Sequence, residues 1–119
     1  MLYSIVIDKQ DTIVFDDEIT EVEAMNKPQI ERAKRRVATL QRQMGQLGPF
    51  MRGTVVVIGT RNKQPYFSLN KDKKTKLIYL GKKREGNANR LSASYKKLLD
   101  IIEEMTILNM ELLKNDALK

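Results

Sequence analysis

The chain has 119 residues, 41% of them hydrophobic and 31% charged, with no cysteine, no histidine and a net charge of +7. That length holds one domain with a modest core and not two independent ones, and the composition excludes wholesale disorder. Without cysteine there is no disulfide framework or thiolate site, and without histidine the commonest general base and nearly all zinc chemistry are missing too.

No apolar run approaches the ~20 residues needed to span a bilayer, and the start, MLYSIVIDKQD, lacks a basic leader region. A cytoplasmic protein away from membranes is therefore expected. Charge is unevenly placed: residues 1–25 hold seven acids against Lys9, whereas residues 26–119 hold 21 Lys and Arg against 8 Asp and Glu. A field this basic concentrates anionic partners, most commonly nucleic acid.

In chain order, residues 2–7 (LYSIVI) and 12–15 (TIVF) are β-branched and aromatic runs separated by DKQD, which reads as a hairpin or two short strands. The acids that follow read as a solvated linker, with an edge element or a segment folded back onto the basic surface as alternatives. Asn26 is a good N-cap, with Pro28 in the first turn and Gln29 completing a capping-box pattern. From there Ile30, Ala33, Val37, Leu40, Met44 and Leu47 recur at alternating three- and four-residue spacings, the seam of a helix-pair interface. Gly45, Gly48 and Pro49 end this helix.

Three β-rich runs come next: TVVVI, PYFSL and KLIYL, joined by GTRNKQ and NKDKKTK, which read as exposed loops. GKKREGNANR then reads as a further loop, with Asn87 or Asn89 capping a long helix from about Arg90 to Lys114. Its seam is read as Leu91, Tyr95, Leu98, Ile102, Met105, Asn109 and Leu112. Leu99, Ile101, Leu108 and Leu113 lie outside that seam, so the helix needs more than one partner to cover it.

Between Arg52 and Arg90 lie eleven cations (Arg52, Arg61, Lys63, Lys71, Lys73, Lys74, Lys76, Lys82, Lys83, Arg84 and Arg90) against Asp72 and Glu85. Phosphate binding needs several cations that reach successive anionic oxygens, and loops at the end of a ribbon can present them together. Strand alternation puts Tyr66 and Phe67 on opposite faces. One of the two is therefore core and the other free to stack on an unpaired base, the place given to Tyr66. No helix-turn-helix, RNA-recognition or zinc-finger signature accompanies the charge. The acids at residues 16–23 match no calcium-loop spacing, and the glycines have no phosphate-cradling spacing. No enzyme activity, metal, cofactor or small-molecule substrate is expected.

From residue 51 onward the order of features resembles a family of small prokaryotic domains often found among mobile-element or phage-like genes. The resemblance rests on Arg52-Gly53-Thr54, Pro65-Tyr66-Phe67-Ser68-Leu69, Lys74-Thr75-Lys76-Leu77-Ile78-Tyr79-Leu80, Tyr95-Lys96-Lys97-Leu98-Leu99 and Leu108-Asn109-Met110-Glu111-Leu112-Leu113. With the preceding helix it covers residues 28–114. It implies the helix, β-ribbon, helix layout. Many relatives carry a cysteine cluster and a His-Gly where this chain has Gly59-Thr60-Arg61-Asn62-Lys63-Gln64, a departure that argues against a metal-linked role here.

The expected fold is α+β in a single domain, 1–119: an acidic hairpin extension (1–25), a helix (26–48), a basic three-stranded antiparallel meander (53–80) and a long helix (89–115) antiparallel to the first. Two functions are carried forward. One is a non-enzymatic nucleic-acid-binding accessory protein that grips the phosphates of DNA or RNA through its ribbon loops. The other is an assembly module working through its helices, with Leu99, Ile101, Leu108 and Leu113 burying against a second copy in a homodimer. In either, the acids of residues 8–23 could dock on the ribbon and compete with nucleic acid.

Overall fold

A computed structural model describes residues 18–118 together with the backbone of two short strands, β1 (Val6–Ile7) and β2 (Ile13–Val14), which pair antiparallel. The remainder of the expected amino-terminal hairpin lies outside the described residues. Helix α1 spans Lys27–Gly45, and a three-stranded sheet follows from β3 (Thr54–Ile58), β4 (Gln64–Lys71) and β5 (Lys74–Tyr79); helix α2 spans Gly81–Lys114. The sheet is an antiparallel meander in the order β3-β4-β5. No helix among the described residues is long and apolar enough to cross a membrane.

Helix α1 begins where its side chains specify. Asn26 accepts from the Gln29 amide at 3.0 Å, and the Gln29 side chain accepts from the Asn26 amide at 2.9 Å, which closes a capping box with Pro28 in the first turn. Two of the helix's orphan donors are thereby satisfied. The buried residues Ala33 and Leu40 face α2, whose buried Ile101 and Leu112 complete a narrow helix-pair core.

The two helices run antiparallel. Met25 donates its amide to Asn115 Oδ1 at 2.9 Å at one end, and Phe50 stacks on Tyr95 at 6.2 Å near the other. Between them Arg36 grips Glu104 with two hydrogen bonds, of 2.5 and 2.9 Å. The hydrogen bond from Arg36, more than its charge alone, holds the Glu104 carboxyl below the ordinary glutamate range. A carboxyl lowered in the folded state stabilises fully above its unfolded pKa, and that contribution is lost as pH falls through the folded value. Both side chains are exposed, so the effect is small. Glu104→Gln should lower the melting temperature slightly at neutral pH and leave it unchanged in acid; a difference that persists in strong acid would refute this pairing as its source.

The sheet packs on the other end of α2. Phe67, Leu80 and Ala88 form its buried centre, with Met51, Val55 and Leu69 around them. Three hydrogen bonds pin the layers: Met51 N–H to the Leu91 carbonyl at 3.2 Å, Ser92 Oγ–H to the Gly53 carbonyl at 3.3 Å, and Leu80 N–H to the Pro65 carbonyl at 3.0 Å. Because helix pair and sheet sit toward opposite ends of α2, the chain is long, with a radius of gyration of 20.3 Å. A compact domain of this length has about 13–14 Å.

Three sequence expectations need correction. The lysine-rich stretch 70–76 is exposed as expected, but it is a tight hairpin and not a seven-residue loop: Lys71 pairs with Lys74, and the two turn residues Asp72 and Lys73 have φ of 53° and 61°. Positive φ at both turn positions matches the twist of the strands, so pairing continues to the turn itself. Helix α2 starts at Gly81 and not at Asn87 or Asn89, because Leu80 and Ala88 are buried under the sheet and that packing outweighs the Gly and Asn content of residues 81–89. The seam of α2 also has a different phase. Ile101 is buried, and it and Leu108 border clefts lined by α1 residues Leu40 and Ala33. Tyr95, Ile102 and Asn109 lie on a different stripe. Ile101 is therefore internal core and Leu108 is partly covered beside α1, whereas Leu99 and Leu113 are exposed.

Candidate nucleic-acid interface

All eleven cations between Arg52 and Arg90 are exposed, but the fold divides them. Five gather at the β4–β5 tip. Lys71 and Lys74 face each other directly across the strands, Lys76 stands opposite Leu69, Lys73 occupies the turn, and Arg52 reaches in to donate to the Asn70 carbonyl at 3.0 Å. Like charges directly opposed on a sheet are destabilising. A non-glycine residue at φ of 61° adds strain that a glycine would avoid. Asp72 is the one acid in this turn.

Alternation places Lys71, Lys74 and Lys76 on the same face of the sheet as Phe67 and Leu69. There Lys71, Lys76 and Arg52 border an open groove floored by Phe67, Leu69 and Ile78. Helix α2 covers only part of this face, and Ile78 is left 54% exposed. The tip thus combines a cationic rim with an apolar floor.

A second group sits at the opposite end of the strands, about 23 Å away by the length of β4. Arg61 and Lys63 lie in the β3–β4 connection, while Lys82, Lys83 and Arg84 occupy the first turn of α2. That turn has no acidic residue and no side-chain cap. Three cations there oppose the partial positive charge of the helix terminus. Arg84 approaches the Tyr79 carbonyl at 3.4 Å. Tyr66 packs edge-on against Tyr79 with centroids 5.4 Å apart, and Tyr79 donates its hydroxyl to Gln64 Oε1 at 3.0 Å.

The fold brings Tyr66 toward this second group and sets it on the face opposite Lys71, Lys74 and Lys76. Arg90 joins neither group; its guanidinium bonds to Asn87 one turn earlier on α2. Sequence spacing supplied the cations, but the two faces and two ends emerge only with the strand register. The tip groove is missed by sequence reasoning because the run KLIYL does not show which of its faces is left uncovered. The available signal is the two-residue spacing of Lys76 and Ile78, which puts both on one face of the strand.

Comparison with protein-family models, curated proteins and solved structures returns no match.

The acidic segment bears on the same question. Among the described residues the ion pairs are Arg36–Glu104 and Lys114–Glu21, the latter at 3.0 Å. Neither involves the ribbon. Glu21 and the half-buried Val22 and Met25 lie against the end of the helix pair where α2 terminates, and α2 is about 50 Å long. The acids of residues 18–25 are thus held far from the ribbon, contrary to an autoinhibitory contact there. The acids Asp8, Asp11, Asp16 and Asp17 lie outside the described residues.

Proposed function

We propose that this protein binds nucleic acid without catalysing a reaction, and that the β4–β5 tip is its principal phosphate-gripping element. The observation that carries the reading is the local conflict at the tip: Lys71 opposed to Lys74, Lys73 in a left-handed turn position, and Lys76 and Arg52 close by. Folding alone would favour glycine at position 73 and unlike charges across the strands. A polyanion resolves the conflict, since each phosphate neutralised by a cation releases condensed counterions. The uncapped, cation-bearing first turn of α2 offers a second set of charges to the same strand of phosphates.

A variant carrying Lys73→Gly together with Lys71→Gln, Lys74→Gln and Lys76→Gln tests this directly. Stability should hold or rise, because strain and repulsion are removed. Affinity for duplex DNA, single-stranded DNA and RNA, read by fluorescence anisotropy, should fall at least about tenfold at low salt, four contacts being lost. If all four lysines engage duplex phosphates, the log–log salt slope should flatten by about 3–4. A folded variant with unchanged affinity and slope would remove the tip from the interface. Absence of binding by the unaltered protein to all three ligands would remove the function.

A further inference from the structure

Helix α2 is apolar on two stripes, and only one of them packs on α1. Successive helical residues advance by about 100°, so the stripe holding Ile101, Leu108 and Leu112 meets α1. Roughly a third of a turn away run Tyr95, Leu99, Ile102, Thr106, Asn109 and Leu113, at alternating spacings of four and three. That is a coiled-coil seam. Leu99, Ile102 and Leu113 are 44%, 47% and 63% exposed, and the adjoining Met110 is 52% exposed. Followed back toward the start of α2, the same stripe passes through Ser92 and Ala88, which are buried beneath the sheet. The sheet therefore covers the first part of this stripe and leaves the rest open.

We propose that a second copy of this chain covers the open part, with the two α2 helices packed antiparallel between Tyr95 and Leu113. The exposed area calls for such a cover. The chain presents 9810 Å² where a compact monomer of 13.8 kDa presents about 6,600 Å². The difference is spread over an elongated chain, and the α2 stripe carries a share of it as Leu99, Ile102, Met110 and Leu113, which stand open within the stretch of about 27 Å from Tyr95 to Leu113. A two-fold pair is also the commonest way for one surface patch to complement itself.

The sheet dictates the direction. It lies on the same stripe of α2 that the partner helix must occupy. In a parallel pair both sheets would have to fit between helices whose axes are only about 8–10 Å apart. In an antiparallel pair each sheet lies beyond the end of the other α2. The four-three spacing then closes on itself about a midpoint near residue 104, so that Tyr95, with Phe50 stacked on it, meets Leu113 of the partner subunit. Thr106 and Asn109 are polar interruptions of the kind that set register at some cost in stability.

One consequence rests on the proposed function. The midpoint puts the centres of the two sheets about 50 Å apart, so a dimer would present its β4–β5 tips to two separated stretches of one polyanion.

The test requires no nucleic acid, so its outcome is independent of the binding reading. Sedimentation equilibrium across the micromolar range should give twice 13.8 kDa, and Ile102→Glu with Leu113→Glu should give the monomer mass with helical circular dichroism retained. A monomeric unaltered protein, or a dimer that survives both substitutions, would overturn the proposal. Because the chain has no cysteine, orientation can be read separately in otherwise unaltered protein. Mixing single variants Tyr95→Cys and Leu113→Cys should produce the mixed disulfide on oxidation. A Tyr95→Cys disulfide with itself, in place of the mixed one, would show a parallel pair and overturn the proposed geometry.

Discussion

Gly53→Ala is expected to destabilise the protein by roughly 2–6 kcal/mol, with strain contributing about 1–3 and overpacking another 1–3. Gly53 has a φ of +136°, a conformation that side chains bearing a Cβ rarely adopt. A Cβ there would lie 2.6 Å from Phe67 Cζ and 2.6 Å from the Ser68 carbonyl oxygen. The ring can shift, but the carbonyl belongs to the β3–β4 ladder, in which Thr54 pairs with Ser68. Gly53 also offers its own carbonyl to Ser92, so this one residue joins strand and helix. Gly48→Ala is the control: its φ is +72° but its Cβ would meet nothing within 4 Å. Only backbone strain should appear there. Urea unfolding of both variants decides the matter, and equal losses would show that close packing at Gly53 contributes nothing.

The parts of the fold legible in the sequence were those specified by neighbouring residues. Asn26, Pro28 and Gln29 announce α1 through local hydrogen bonds, and the structure makes them. The run TVVVI stands between Gly53 and Gly59, both at positive φ, so its limits were visible as well. What depended on distant contacts was obscured. Residues 81–89 contain two glycines, two asparagines and three consecutive cations, all of which argue locally against a helix start; only the sheet above Ala88 reverses that balance. The phase of the α2 seam was hidden because the helix is apolar on two stripes, and spacing alone does not say which stripe meets α1. The cations were plain to read, yet their division between two ends of the sheet, with Tyr66 on the face away from the tip lysines, follows from strand register.

That dependence of the start of α2 on the sheet leads to the other large expected effect. Phe67 is 4% exposed at the centre of the small sheet core, and Phe67→Ala should cost about 3–5 kcal/mol. In a uniform core the loss would fall on the whole molecule. Here it should fall unevenly, because the helix-pair core of Leu40, Ile101 and Leu112 shares no buried residue with the core of Phe67, Leu80 and Ala88. Without the sheet, residues 81–92 keep no side-chain cap, a glycine at position 86 and repulsion between the helix terminus and Lys82, Lys83 and Arg84. They should unravel with the strands, while residues 98–112 remain helical against α1. Hydrogen exchange separates the outcomes: amides of β3 to β5 and of residues 84–92 should lose protection in Phe67→Ala, and those of residues 101–112 should keep it. Adding Gly86→Ala, whose Cβ would meet nothing within 4 Å, should restore part of the protection at the start of α2, since alanine favours a helix interior by about 1 kcal/mol over glycine. Uniform loss of protection along all of α2 would show instead that helix pair and sheet fold as one cooperative unit.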